Sequence, residues 1–182
     1  MVHGNSVTGD GGGIDSPNGG AEMNLDNSKI TGNHAGGDGG AIYMSGAAGQ
    51  VTGTDIQGNS AVDGGGFNDA TLAPLGFDNS KLSCNRATAD GGFLYVEDPG
   101  TSVGFSDSTV SGNEAGAYGG GIYNQGSMGV ESTRIVNDTA ASGGGGIYDY
   151  GAIATVMLTS STVRHNKPDK CEPTGSITGC TG

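Results

Sequence analysis

The chain has 182 residues, of which 39 are glycine and 5 are proline, so about one position in five lacks any side chain with which to build a core. A glycine-plus-proline content near ~25–30% marks an aperiodic chain as low-complexity or disordered, so only a regular repeat lets this composition fold. The formal net charge is -12, from 7 basic and 19 acidic residues. That balance excludes nucleic acid as a partner, because affinity for phosphate rests on clustered Lys and Arg, and it favours cations or neutral ligands. The length fits about one domain, and no membrane-spanning run of about 18 apolar residues is present. The opening Met1-Val2-His3-Gly4-Asn5 carries neither the basic nor the apolar region of a secretory leader.

Self-similarity organises everything else. In chain order, an apolar-x-x-Asn motif opens each unit at Val2, Ile30, Ile56, Leu82, Val110, Ile135 and Val163. It closes on Asn5, Asn33, Asn59, Asn85, Asn113, Asp138 and Asn166, so six of the seven units place asparagine there. Two residues later stand Val7, Ala35, Ala61, Ala87, Ala115 and Ala140. A Gly-Gly pair then leads to an apolar residue at Ile14, Ile42, Phe67, Leu94, Ile122 and Ile147. Another apolar position, at Leu25, Val51, Phe77, Phe105, Val130 and Leu158, falls five residues before the next motif. Ser28, Thr54, Ser80, Ser108, Thr133 and Ser161 fall two before it. Both registers repeat every 25–28 residues.

Each unit holds three short extended segments with period-2 patterning, and none contains an apolar stripe at helical spacing. The expected fold is all-β: a right-handed, single-stranded parallel β-helix of about seven rungs of 25–28 residues, spanning residues 1–166. Rungs about 4.8 Å apart give a rod roughly 34 Å long. The corner pairs Gly11-Gly12, Gly39-Gly40, Gly64-Gly65, Gly91-Gly92, Gly119-Gly120 and Gly144-Gly145 are explained by backbone angles closed to side chains, or by backbone packed against backbone. An inward Asn at a second corner can bond its turn and the Asn of the next rung, forming a structural ladder. Asp138 breaks that ladder because a carboxylate has no amide to donate, so its rung is expected to be weaker or the side chain exposed. Residues 167–182 depart from the pattern and form a C-terminal capping tail, in which Cys171 and Cys180 can close a disulfide loop over the last rung. Oxidation there would place the protein outside a reducing compartment. Cys84 takes a Gly position and is expected to be a small buried hydrophobe.

Gly39-Gly40-Ala41-Ile42 together with the apolar-x-x-Asn motifs resembles the repeats of polymorphic outer-membrane proteins and autotransporter passengers, built on GGA(I/L/V) and FxxN. Thr31-Gly32-Asn33 and Gly120-Gly121-Ile122-Tyr123-Asn124 are similar to secreted bacterial right-handed parallel β-helix proteins of pectate-lyase-like shape. The apolar position of the second motif is aliphatic here and never Phe. The resemblance implies a secreted or cell-surface protein with an adhesive or scaffolding role; these motifs encode the coil and leave the site unspecified.

Chemistry must then lie in the outward columns. The residue before Gly-Gly is Asp10, Asp38, Asp63 and Asp90 in successive units, then Tyr118 and Gly143. Stacked carboxylates about 5 Å apart repel by about 1 kcal/mol in water, and either Ca²⁺ or hydrogen bonds to the turn backbone would offset this. No cofactor is otherwise required. After the inward apolar residue come Tyr43, Asn68, Tyr95, Tyr123 and Tyr148, expected to face outward. Such a row can stack on sugar rings, with Asn124 and Asp149 as partners for hydroxyls, or it can serve stability alone. Lys29, Lys81 and Arg134 share a column with Asp55 and Thr109, the pattern of charge pairing between rungs on a solvated face. His3, His34 and His165 occupy unrelated columns and assemble no triad or zinc site. The outward row Thr31, Gln57, Ser83, Ser111, Val136 and Arg164 is too mixed for a regular ice-binding face.

The expected function is a non-catalytic extracellular or cell-surface β-helix acting in adhesion, carbohydrate contact or scaffolding. A pectate-lyase-like polysaccharide-processing enzyme or its inactive relative is the alternative, and an ice-binding solenoid a second. Surface glycans or host and cell-envelope components are the expected partners. Val2 already stands in register, so end-to-end or N-terminal-edge self-association is a further expected mode.

Overall fold

The computed structural model describes residues 1–17, 22–150, 155–173 and 177–180. Among them every element is a short strand, and every pairing between strands is parallel and joins one turn to the next. Four sheets run along the axis. Sheet A contains Val2–His3, Lys29–Thr31, Asp55–Gln57, Lys81–Ser83, Thr109–Ser111, Arg134–Val136 and Thr162–Arg164. Sheet B is a row of two-residue strands from Ser6–Val7 to Thr139–Ala140. Sheet C runs from Ile14–Ser16 to Cys171–Glu172, and sheet D from Met23–Asp26 to Thr155–Thr159. Sheets A and C have seven strands and sheets B and D six, so the coil makes about six turns and continues into a seventh.

The sequence pattern predicts three strands per turn, whereas the structure has four. The difference lies at the asparagine. Gly32 adopts a left-handed φ of 62° just before Asn33, which turns the chain out of sheet A and sends His34–Ala35 into sheet B. Cys84 occupies the equivalent corner at φ 57° and is exposed, which corrects the expectation of a buried thiol. The corner after sheet B uses the Gly-Gly pair, and its two members answer different needs. Gly39 sits at φ 68°, and a Cβ on Gly40 would run into the backbone of Gly65 and Ser60 in the next turn. The corner after sheet D carries a left-handed residue such as Asn79 at φ 46°, followed by the Ser/Thr column.

Side chains at two of these corners bond up the axis. Thr54 N–H donates to Ser80 Oγ at 3.1 Å, and Ser80 Oγ donates to the Asp78 carbonyl at 2.8 Å. At the other corner, Asn59 N–H and Nδ2 both donate to Asn85 Oδ1 at 3.0 Å, and Nδ2 also reaches the Ile30 carbonyl at 3.1 Å. Between the sheets lies one continuous apolar column in which Phe77 stacks on Phe105 at 4.8 Å and meets Phe67 and Phe93 edge-on. Each such side chain contributes about 1.5–3 kcal/mol by leaving water.

Asp138 is wholly buried, so it stays inside the ladder and is not exposed. Its Oδ1 accepts both the N–H and the Nδ2 of Asn113 at 2.8 Å, and its own N–H donates to Asn166 Oδ1. Its Oδ2 has no partner, because it stands where the other turns place a donating amide. Burial pushes the carboxyl up to about 7, against the hydrogen bonds from Asn113. A proton on Oδ2 would restore the missing donor.

Beyond Asn166 the chain stays in step with the coil. Lys167 bridges Thr139, Cys171 pairs with Ile147, and Thr178 bridges Met157. Cys171 is disulfide-bonded to Cys180, and the buried Ile177 closes the end of the apolar column. Residues 174–176 and 181–182 of the expected tail lie outside the described residues.

These contacts set the expected stability of three variants. Gly92→Ala forces a Cβ into the backbone of Gly120 and Glu114 and should lower the unfolding free energy by about 3 kcal/mol. Gly104→Ala meets no atom within 4 Å on the outer face of sheet D and should change it by less than about 0.5 kcal/mol, both read from urea midpoints. Because the folded pKa of Asp138 lies above its unfolded value, its contribution is intact below about pH 4 and is lost as pH rises through about 7. Asp138→Asn, which removes that titration and supplies the amide, should therefore raise stability at pH 8 by about 1–3 kcal/mol and have little effect at pH 4, measured by thermal melts.

Candidate functional site

The outer faces of sheets A and B are mixed, and that of sheet D is a row of Gly76, Gly104 and Gly129 between Gln50 and the exposed Met157. On sheet A, Lys29 pairs with Asp55 at 3.2 Å, as the interleaved charges predict, and Ser83 and Val136 are buried, which interrupts the row an ice-binding face would need. On sheet B, Arg86 pairs with Glu114 at 2.6 Å. The outer face of sheet C differs.

Strand alternation sends Ile122 and its equivalents inward and the next residue outward, and the parallel register aligns those outward residues as Asp15, Tyr43, Asn68, Tyr95, Tyr123, Tyr148 and Glu172. The ring centroids of Tyr95 and Tyr123 lie 4.9 Å apart, and those of Tyr123 and Tyr148 5.4 Å apart. Tyr118, from the corner column, joins Tyr148 at 4.6 Å, and Tyr150, from the following loop, lies 5.9 Å from Tyr123 and 6.4 Å from Tyr148. Tyr123 is only 7% exposed because rings close over both its sides. The expectation of a row of free aromatic faces is thereby corrected: the ladder presents edges and hydroxyls, and the more open rings are Tyr118 at 37% and Tyr150 at 55%. Burial, followed by the carboxylates around it, pushes Tyr95 up to about 12, and Gln125 donates to its hydroxyl at 3.2 Å. The Tyr95 phenol is neutral at physiological pH.

Asn124 and Asp149 do not join this face. They follow the tyrosines by one position, so alternation turns them inward, where Asn124 Nδ2 donates to Asp149 Oδ1 at 2.8 Å. Both are buried, which removes them as partners for a bound sugar. In the sequence, their neighbours Tyr118 and Tyr150 lay in other columns; the signal that could have found them is that both fall within a few residues of the Tyr column in successive units.

Along one flank of sheet C the corner brings Asp10, Asp38, Asp63 and Asp90 into a single row. Each Oδ1 accepts the backbone N–H one turn on: Asp38 at 2.8 Å, Asp63 at 3.0 Å, Asp90 at 2.7 Å and Tyr118 at 2.8 Å. The carboxylates thus brace the stack itself, bonding the next turn and not their own. Burial raises the pKa of Asp38, Asp63 and Asp90, and mutual repulsion adds to this for Asp38 and Asp63. Among the described residues, no group of three or more His, Cys, Asp or Glu side chains is placed to hold a metal ion. The other flank is formed by the loops from sheet C to sheet D, where a cleft of about 470 Å³ is lined by Tyr43, Ser45, Ala70, Glu97 and Asp98.

The model of the Chlamydia polymorphic membrane protein repeat matches the chain at residues 27–45 and 107–125. Each match begins at the left-handed residue before the Ser/Thr column, Asn27 or Asp107, and ends just past the sheet C strand. It therefore covers the stretch that holds the ladders and the glycine corner, and it stops short of the loops that flank the tyrosine face. Neither a curated protein nor a solved structure matches the chain. The parallel sheets stacked turn on turn make the chain a β-solenoid, and two of its stretches are similar to the polymorphic membrane protein repeat, which points to an outer-membrane or surface protein.

Proposed function

We propose that the chain is a non-catalytic, surface-displayed β-helix module that adheres to glycans through the tyrosine edge of sheet C. The observation that carries this reading is the cluster of Tyr95, Tyr118, Tyr123, Tyr148 and Tyr150, whose centroids are 4.6–6.4 Å apart in successive contacts. Stacking fixes the rings against one another, so a ligand meets prepositioned hydroxyls with little rotamer entropy left to lose. Sugar hydroxyls pair with such phenols, and the free sides of Tyr118 and Tyr150 offer apolar surface to C–H faces of a pyranose. A surface location, to which the repeats point, supports contact of this edge with envelope or host glycans. The Asp row supports the same arrangement mechanically, since its bonds hold the corner beside the rings in register.

A glycan array probed with the purified protein should show selective binding, and the double variant Tyr118→Ala/Tyr150→Ala should lose at least about tenfold in affinity while its melting temperature changes little. Absence of any glycan signal from the wild-type protein, or equal binding by the double variant, rejects the tyrosine edge as an adhesive surface.

A further inference from the structure

Within the tyrosine cluster, Tyr118 and Tyr148 meet in a way the other pairs do not. Their ring centroids are 4.6 Å apart, the shortest separation in the cluster, and their planes are tilted by 38°, whereas every other pair lies within 26° of parallel. The tilt swings an edge of one ring toward the other, and rings this close are in contact. The two residues belong to adjacent turns and to different columns. Tyr118 keeps its corner place through its backbone, donating its N–H to Asp90 Oδ1 at 2.8 Å and bridging Gly143, while its ring reaches the sheet C column of the following turn. Gly143 has no side chain to stand in the way of that reach.

A carboxylate flanks the same pair. Glu172 is the register partner of Tyr148, and a Cβ placed on Gly143 would meet its carboxylate oxygen. Its carboxylate therefore lies over the residue that bridges Tyr118, in the turn next to Tyr148. Solvent access differs across the cluster: Tyr118 is 37% exposed and Tyr148 partly open, whereas Tyr123 is covered.

We propose that Tyr118 and Tyr148 form a site of oxidative coupling, where hydrogen peroxide acting through a haem peroxidase joins the two rings as dityrosine and ties two adjacent turns covalently. Each phenol loses one electron and one proton. The two radicals then form a bond between ring carbons next to the hydroxyls, and the hydrogens on those carbons pass to the oxygens as both rings regain aromaticity. The pair thus loses two hydrogens in all, and one peroxide takes them up to become two waters. A phenol yields its electron readily when its proton has an acceptor, and Glu172 is the carboxylate placed to receive it and pass it to solvent. Contact between the rings makes the coupling partner a neighbour within the chain, at an effective concentration that separate chains in dilute solution do not reach. The product would add a second covalent tie near the end of the coil already closed by Cys171 and Cys180. This inference goes beyond the glycan reading and can fail separately from it, since coupling is read with no sugar present and glycan binding is read on unoxidised protein.

The test treats the full chain, at low micromolar concentration, with a haem peroxidase and equimolar hydrogen peroxide, and then digests it with trypsin. Cleavage after Arg86, Arg134 and Arg164 leaves Tyr118 in peptide 87–134 and Tyr148 in peptide 135–164. The expected product is these two peptides joined, lighter than their sum by two hydrogens and carrying the blue fluorescence of dityrosine, with no dimer on a denaturing gel. Tyr118→Phe keeps the ring but removes the hydroxyl, and should lower the yield at least about fivefold. Tyr123→Phe and Tyr150→Phe alter the other tyrosines that could join the same peptides, and should leave it within about twofold. Glu172→Gln should slow the coupling at least about threefold with an unchanged circular dichroism spectrum. Absence of the joined peptide, an undiminished yield from Tyr118→Phe, or joining only between chains would overturn the proposal, and an unchanged rate in Glu172→Gln would overturn Glu172 as the proton acceptor.

Discussion

The structure depends on one requirement: each turn must be congruent with the turns on either side of it. Every strand pairs only with its equivalents one turn away, so a backbone donor finds its acceptor only if both turns bend at the same place by the same angles. The corners enforce this. At the asparagine corner one carbonyl oxygen receives both the backbone and the side-chain N–H of the turn before it, so a shift of one residue would break several bonds together. Where the chain packs most tightly, at Gly40 and its equivalents, backbone rests on backbone and no side chain fits.

Congruence also decides where individuality can lie. Columns at the corners are fixed by the turn they make, and inward columns by the volume of a narrow core. The outer residues of sheet C, the corner position before Gly-Gly and the loops leading to sheet D are free of both constraints. There Asn68 replaces a tyrosine, Tyr118 replaces an aspartate, and Glu97 and Tyr150 enter from loops of unequal length. The repeat-family match ends just before those loops. Variation and aromatic clustering thus coincide on the outer face of sheet C and the two flanks beside it.

Much of the coil was legible because its causes are local and repeated. Glycine pairs, asparagines and alternating apolar residues each report the angle or burial of a single position, and seven copies separate the signal from chance. The fourth strand was not legible, since Ser6–Val7 and its equivalents are two residues long and too short to carry a period. The outward tyrosines were found by alternation, while the inward turn of Asn124 and Asp149 follows from the same alternation applied one residue further. Cys84 was misplaced because a Gly column was taken to mean lack of space, when at that corner it reflects a left-handed φ with the side chain in solvent.

By itself the sequence determined that the chain is a stack of equivalent turns and which apolar columns face inward, because these are properties of one turn repeated. Only the tertiary structure decided what adjacent columns do to each other. It closed rings over Tyr123, committed the Asp row to the backbone of the next turn and buried Asp138 with one oxygen unmet. Those relations depend on distances across the axis and between columns, and a one-dimensional register contains the order of residues along a turn but not the reach of a side chain toward its neighbours.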